Sequence, residues 1–199
     1  MLRPASARRQ GIAAAFPKSS SKIGPYWQGR QPESTPMRRF LTLLAAILLT
    51  AAAAQAAPKA AVFPFELIDD SLDGQYFGPR ADETRRLALA TAELRKLVAQ
   101  EAGYDVLDLG ALASEVEKAA PLYKCNGCEV ELARKLGADF AITAAVRKYS
   151  NLLLSLHIYV KEAGTGNLTK MYRVDIRGNT DESWLRGVRW LVARGLVGS

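Results

Sequence analysis

The chain has 199 residues, with 27 Lys+Arg against 20 Asp+Glu for a formal net charge of +7, 49% hydrophobic and 24% charged residues, two Cys and one His. That composition excludes a disordered or collagen-like chain, and a lone His argues against a multi-histidine metal site and limits His-based catalysis. The basic balance would point to nucleic acid or an anionic membrane surface if it belonged to the folded part.

It does not belong there. Residues 1–36 are rich in Arg, Ser, Pro and Gln, lack a sustained apolar period and read as a disordered or mis-started upstream extension. Met37, Arg38 and Arg39 then begin a secretory signal peptide over 37–56. A basic start is followed by an apolar run from Phe40 to Ala54 and a small-x-small cleavage site, Ala54-Gln55-Ala56. The run is short of the ~20 residues that span a bilayer. Translation is therefore expected to start at Met37 and cleavage to follow Ala56, the rival reading being a cytosolic extension before an uncleaved anchor. The Arg38-Arg39 pair is only a faint twin-arginine signal, so general secretion is expected. No Cys near the cleavage site offers a lipid anchor. The segment removed holds eight basic residues and one acid, which leaves 19 of each sign in a mature domain, 57–199, of formal net charge zero.

Ala60–Leu67 is a short apolar, aromatic run and reads as a buried strand, with a bulge or strand end at Pro64. Residues 69–81 form a loop by composition. Asp82 is a plausible N-cap, after which Leu87, Ala90, Leu94, Leu97 and Val98 repeat at helical spacing until Gly103. Tyr104–Leu109 alternates and reads as a second strand, parallel to the first because a helix of about twenty residues connects them. Residues 111–119 form a short helix broken by Pro121. The Cys125–Cys128 segment opens another helix, which Gly137 ends.

From Phe140 the period changes to two. Strands are expected over 140–148, 152–161 and 168–177, joined by turns at 149–151 and 164–167. In the middle one Leu152, Leu154, Leu156, Ile158 and Val160 share a face, opposite Ser155, His157, Tyr159 and Lys161. A last helix is capped by Asn179 or Thr180, carries a stripe of Trp184, Val188, Leu191 and Val192, and ends at Gly195. The order β-α-β-α-α-β-β-β-α describes an α/β (α+β) fold, one mixed sheet of about five strands with helices packed on it.

Cys125 and Cys128, the sole cysteines, are expected to form a disulfide in an oxidising compartment. One reading is a redox centre at a helix N-terminus. The preferred reading is a staple over a short loop, worth about 2 kcal/mol. Glu129 stands where haem attachment would need a His, and a zinc site would need two more ligands. His157 reads as a sheet-face residue rather than a general base. Asp69, Asp70 and Asp73 lack calcium-loop spacing, and Gly164-Thr165-Gly166 lies in a hairpin rather than between strand and helix, so neither a cation loop nor a phosphate loop is expected. Within 175–184 the bland reading has Asn179 or Thr180 capping the helix, Trp184 in the core and Arg177 paired with an acid. Trp190 falls opposite the apolar stripe, beside Arg186, Arg189 and Arg194, a combination typical of a protein interface. Arg177, Asn179, Arg186, Arg189 and Trp190 are therefore the candidate partner-binding residues. No catalytic residue, metal or cofactor is assigned.

Leu136-Gly137-Ala138-Asp139, followed by a strand, a turn, a strand and Ala163–Gly166, resembles the amino-terminal domain of the TolB translocation protein. It is similar also to the curli-secretion lipoprotein superfamily, and Val62–Phe65 fits the first strand of those domains. Over residues 58–198 the chain resembles more closely a family of exported proteobacterial proteins whose function is unknown. The shared segments are Phe63–Leu67, Cys125-x-x-Cys128, Leu136–Asp139 and Asp175–Trp184. The resemblance implies fold and compartment, not activity. The function expected is therefore a periplasmic, non-enzymatic accessory or binding domain of an envelope assembly with a protein partner, no nucleic acid and no stable membrane anchor. The alternatives are a thiol–disulfide oxidoreductase and a small-ligand sensor.

Overall fold

The computed structural model of the protein describes residues 56–197. The upstream extension and the secretory segment lie outside the described residues, Ala56 excepted. Among the described residues no helix is long and apolar enough to cross a membrane.

Strands β1 (Lys59–Asp69), β2 (Asp105–Val106), β3 (Phe140–Lys148), β4 (Leu153–Glu162) and β5 (Leu168–Arg177) form one sheet in the order β2-β1-β3-β4-β5. β1 runs parallel to β2 and β3, while β3, β4 and β5 are antiparallel neighbours. The helices are α1 (Leu72–Phe77), α2 (Ala81–Gln100), α3 (Ala113–Ala119), α4 (Cys128–Leu136) and α5 (Asp181–Leu191), the last running into a π-helical turn, Val192–Leu196.

Alternation sorts the strand residues onto two faces. Ile142, Val146, Leu154, Leu156 and Ile158 meet α2 (Ala90, Leu94, Val98) and α5 (Trp184, Val188, Leu191) in the larger core. Ala61, Phe63 and Ala141 face a smaller core with Leu132 and Ala133 of α4 and with Leu109 and Leu122. The opposite side of β4 and β5 carries His157, Tyr159, Met171, Arg173 and Asp175. α5 approaches the sheet at Gly187, where a Cβ would stand 3.0 Å from Ile176 Cγ2 and Leu156 Cδ2. Gly137 ends α4 in the left-handed region, φ 77°.

Five expectations need correction. The 69–81 segment is not all loop: Ser71 caps α1 by accepting from Gly74 N–H (3.1 Å), and is itself held by Asp69, whose Oδ1 accepts from Ser71 N–H (2.9 Å). α2 begins one residue before Asp82, after an Arg80 that makes no side-chain cap. β2 keeps two residues of the expected 104–109. Beyond that point β1 bulges: its register against β3 shifts between Val62 and Phe65, at Pro64, which has no N–H to offer. The freed β1 groups are taken by α2: Arg95 Nε donates to the Val62 carbonyl (3.1 Å) and Phe65 N–H to Thr91 Oγ1 (2.9 Å). Leu152 lies in the turn and is exposed. Gly195 does not end the last helix but sits inside the π-helical turn.

Candidate partner interface

The carboxyl ends of β1 and β3 meet the start of α2 and the β5–α5 loop at a buried polar hub. Lys148, last in β3, shares the parity of Ile142 and Val146 and so turns inward, with no exposed surface. Its Nζ lies 2.8 Å from Glu83 Oε1 and 3.2 Å from Asp69 Oδ2. Glu83, in the first turn of α2, has no exposed surface either. Asn179 Nδ2 donates to Glu83 Oε1 (2.6 Å), and Asn179 Oδ1 accepts from Trp184 Nε1 (3.0 Å) and Arg86 Nη1 (3.3 Å). Burial pulls the Lys148 ammonium down, but Glu83 and Asp69 outweigh it and hold it above its ordinary range. Burial likewise works against the Asp69 carboxylate, and hydrogen bonds from Ser71 with the Lys148 charge more than offset this. Thr180 is the N-cap, accepting from Ser183 N–H (3.3 Å), while Ser183 Oγ donates to the Arg177 carbonyl (3.0 Å). Asp181 accepts from both Arg85 and Arg86. The 175–184 segment is thus a joint that clamps α5 to α2 and the sheet.

The candidate residues divide on this geometry. Asn179 is committed inside the joint. Arg189 Nε donates to Glu93 of α2 (2.6 Å) and works as a strut. Arg186 pairs only with exposed Glu182, one turn away. Among the described residues no acid lies within ion-pairing distance of Arg177. Trp190 is 48% exposed. It borders a groove of about 260 Å³ between α5 and the edge strand β5, lined by Val174, Asp175, Ile176, Arg177, Arg186 and Gly187. The structure therefore brings Arg177, Arg186 and Trp190 together and sets Asn179 apart.

Cys125 and Cys128 form a disulfide just before and at the first residue of α4. Cys125 Sγ lies 3.4 Å from Glu129 Oε2, and Glu129 is almost wholly buried. A carboxylate at that distance opposes a thiolate, the reverse of what a redox cysteine needs, so the geometry favours a staple. Cys125, Cys128 and Glu129 could converge on a metal ion, but both sulfurs are consumed in the disulfide. Next to it a hollow of about 220 Å³ opens on the sheet face. Its charges answer one another: Lys161 pairs with Glu129, Arg147 with Asp70, and Glu66 accepts from the Leu122 and Tyr123 N–H groups. His157 lines the hollow, its pKa pushed down by burial and by Arg173 and Arg147. Asp69, Asp70 and Asp73 do not converge, being bound to Lys148, Arg147 and Asn151. A hollow of about 580 Å³ fills the gap left by the short β2, between α2 and α3. At the far tip α1 and the β3–β4 turn expose Leu72, Tyr76, Phe77 and Leu152.

Lys148, Glu83 and Arg86 were not among the sequence candidates. The signal was present: Lys148 continues the inward parity of β3, and Glu83 lies one turn before Leu87 on the apolar stripe of α2.

A family model, DUF3280, described as "Protein of unknown function (DUF2380)", matches residues 58–196. No curated protein sequence matches the chain. Among solved structures, the LpoB C-terminal domain from Salmonella enterica is similar at 15% identity and TM-score 0.45, covering 67% of this chain and 93% of that one. Lipoprotein GNA1162 from Neisseria meningitidis is similar at 18% identity and TM-score 0.43, over 69% and 96% of the two chains. The PelC dodecamer from Paraburkholderia phytofirmans is similar at 11% identity and TM-score 0.41, over 69% and 88%.

Proposed function

The chain belongs to the DUF3280 family, and on that premise we propose that it is an exported, non-catalytic binding domain of an envelope protein assembly, which docks a partner protein along α5 and β5. The observation that carries this reading is Trp190: a large aromatic, half exposed, beside an arginine that, among the described residues, pairs only within its own helix, and above a strand edge that no strand among them pairs with. Tryptophan and arginine dominate interface energetics because both bury much contact area and keep a polar handle. The polar hub supports the same reading, since it fixes α5 rigidly against the sheet and so presents Trp190 in one place. The hollow beside the disulfide supports a non-catalytic role, because its Lys161, Glu129, Arg147 and Glu66 are used in internal pairs.

Site-specific photocrosslinking in the native envelope tests it. A photoreactive residue at Trp190 is expected to trap one protein adduct, which Arg186→Glu abolishes while leaving the melting temperature unchanged. A probe at Phe77, on the exposed tip, is expected to give a different adduct or none. The same adduct from Phe77, or none from Trp190, would overturn the assignment.

A further inference from the structure

The reading of α5 and β5 as a docking surface leaves open what chemistry fits there, and β5 itself narrows it. It is an edge strand of ten residues, Leu168–Arg177, with neither proline nor, beyond Val160/Lys161, any register shift to blunt it. Among the described residues no strand pairs with its outer edge, and natural proteins seldom leave so long an edge without a protecting device. The device present is charge. Arg173 and Arg177 flank Asp175 on one face of the strand, leaving a net positive charge there. Two copies pairing β5 to β5 would set like charge against like, so the edge discourages self-association. An opposite charge would be attracted by the same residues.

We propose that the sheet is completed by an acidic, extended segment of the partner protein, added as a sixth strand beside β5 under Trp190 and Arg186. This rests on the assignment of α5 and β5 as the docking surface. Main-chain pairing would supply affinity that is indifferent to sequence, and alternate side chains would supply selection. On the α5 side of the sheet the incoming strand meets Val174, Ile176 and Trp190, an apolar strip ending at Arg186. On the other side it meets Met171, which is 58% exposed, and Arg173 and Arg177, which flank Asp175. The fitting segment therefore alternates, with apolar residues toward Trp190 and Asp or Glu toward the arginines, the opposite-charge cross-strand pairing that stabilises antiparallel ladders.

The full exported chain, titrated with fluorescent ten-residue peptides, tests the proposal. Three probes suffice: alternating Val and Glu, the same with Lys for Glu, and the Val/Glu peptide with every second backbone amide methylated. The Val/Glu peptide is expected to bind saturably and to protect β5 amides from hydrogen exchange. The Lys peptide and the methylated peptide should each bind at least 10-fold more weakly. Arg173→Glu with Arg177→Glu, both exposed, should reverse the preference toward the Lys peptide, with folding checked by an unchanged melting temperature. Equal binding of the methylated peptide, equal binding of the Lys peptide, or no saturable binding overturns strand addition. If the Trp190 adduct forms and the Val/Glu peptide does not compete with it, the docking surface stands and this mode of docking fails. If no adduct forms, both fail.

Discussion

Replacing Lys148 by Met removes one ammonium and little volume, because the two side chains have similar unbranched stems. With Nζ 2.8 Å from Glu83 Oε1, the gross attraction is about 6 kcal/mol at an effective dielectric of about 20. Desolvating the ammonium offsets part of this, and Met escapes that cost. What Met cannot escape is a Glu83 carboxylate still fully buried, now answered only by Asn179 Nδ2 at 2.6 Å. Breaking one side of a buried pair costs about 3–5 kcal/mol, which for a domain of this size is a fall in Tm of roughly 10–15 °C. Urea unfolding followed by tryptophan emission in a Trp190→Phe background of the mature domain reads it, since Trp184 is buried and hydrogen-bonded to the hub through Asn179. The double variant Lys148→Met with Glu83→Leu removes both charges, and is expected to cost at least ~2 kcal/mol less than the two single changes together. A loss below about 1 kcal/mol for Lys148→Met, or strictly additive losses in the cycle, would refute the hub as the joint that holds α5.

Asp69, Asp82 and Asp181 all have carboxyls held below their ordinary range, so their contribution is complete above about pH 4 and lost as pH falls below it; Tm should drop steeply there, and Asp69→Asn should flatten part of the drop. His157 is held below its ordinary value, so protonation favours the unfolded chain and stability should decline as pH falls through about 6.5; His157→Gln should remove that slope between pH 7.5 and 5.5, and an unchanged slope contradicts the assignment. Replacing both cysteines by Ser should leave the domain folded and about 2 kcal/mol less stable, the loop-closure effect of so short a ring; loss of folding at 25 °C would show that the bridge does more than staple. Thr180→Ala removes the N-cap of α5 and should cost about 1 kcal/mol by denaturant titration.

Much of this fold is legible in the sequence where periodicity is strong. The period-two run from Phe140 marks β3 and β5 at their observed limits, and the spacing of Ala90, Leu94, Leu97 and Val98 marks the buried face of α2. The features that escape depend on partners distant in the chain. α1 forms because Asp69 organises Ser71, while the local composition, with Gly74, speaks for a loop. β2 is curtailed by a proline some forty residues earlier. Of the candidate interface, the exposure of Trp190 follows from the helical wheel. The burial of Asn179 does not, because it depends on Glu83 and Trp184 arriving together. Charge misleads in the same way: Lys148 reads as a strand-end cation until its parity is counted.

The two borders of the sheet are unlike. On the β2 side the ladder closes after Ala60 and Val106, Pro64 interrupts the rest of that edge, and Arg95 and Thr91 occupy the Val62 carbonyl and the Phe65 N–H. On the β5 side the border is a continuous ribbon. Such a sheet has a valence of one. Two copies of the domain joined border to border would have no second ribbon to extend, so self-pairing along it would stop at two rather than propagate into a fibre.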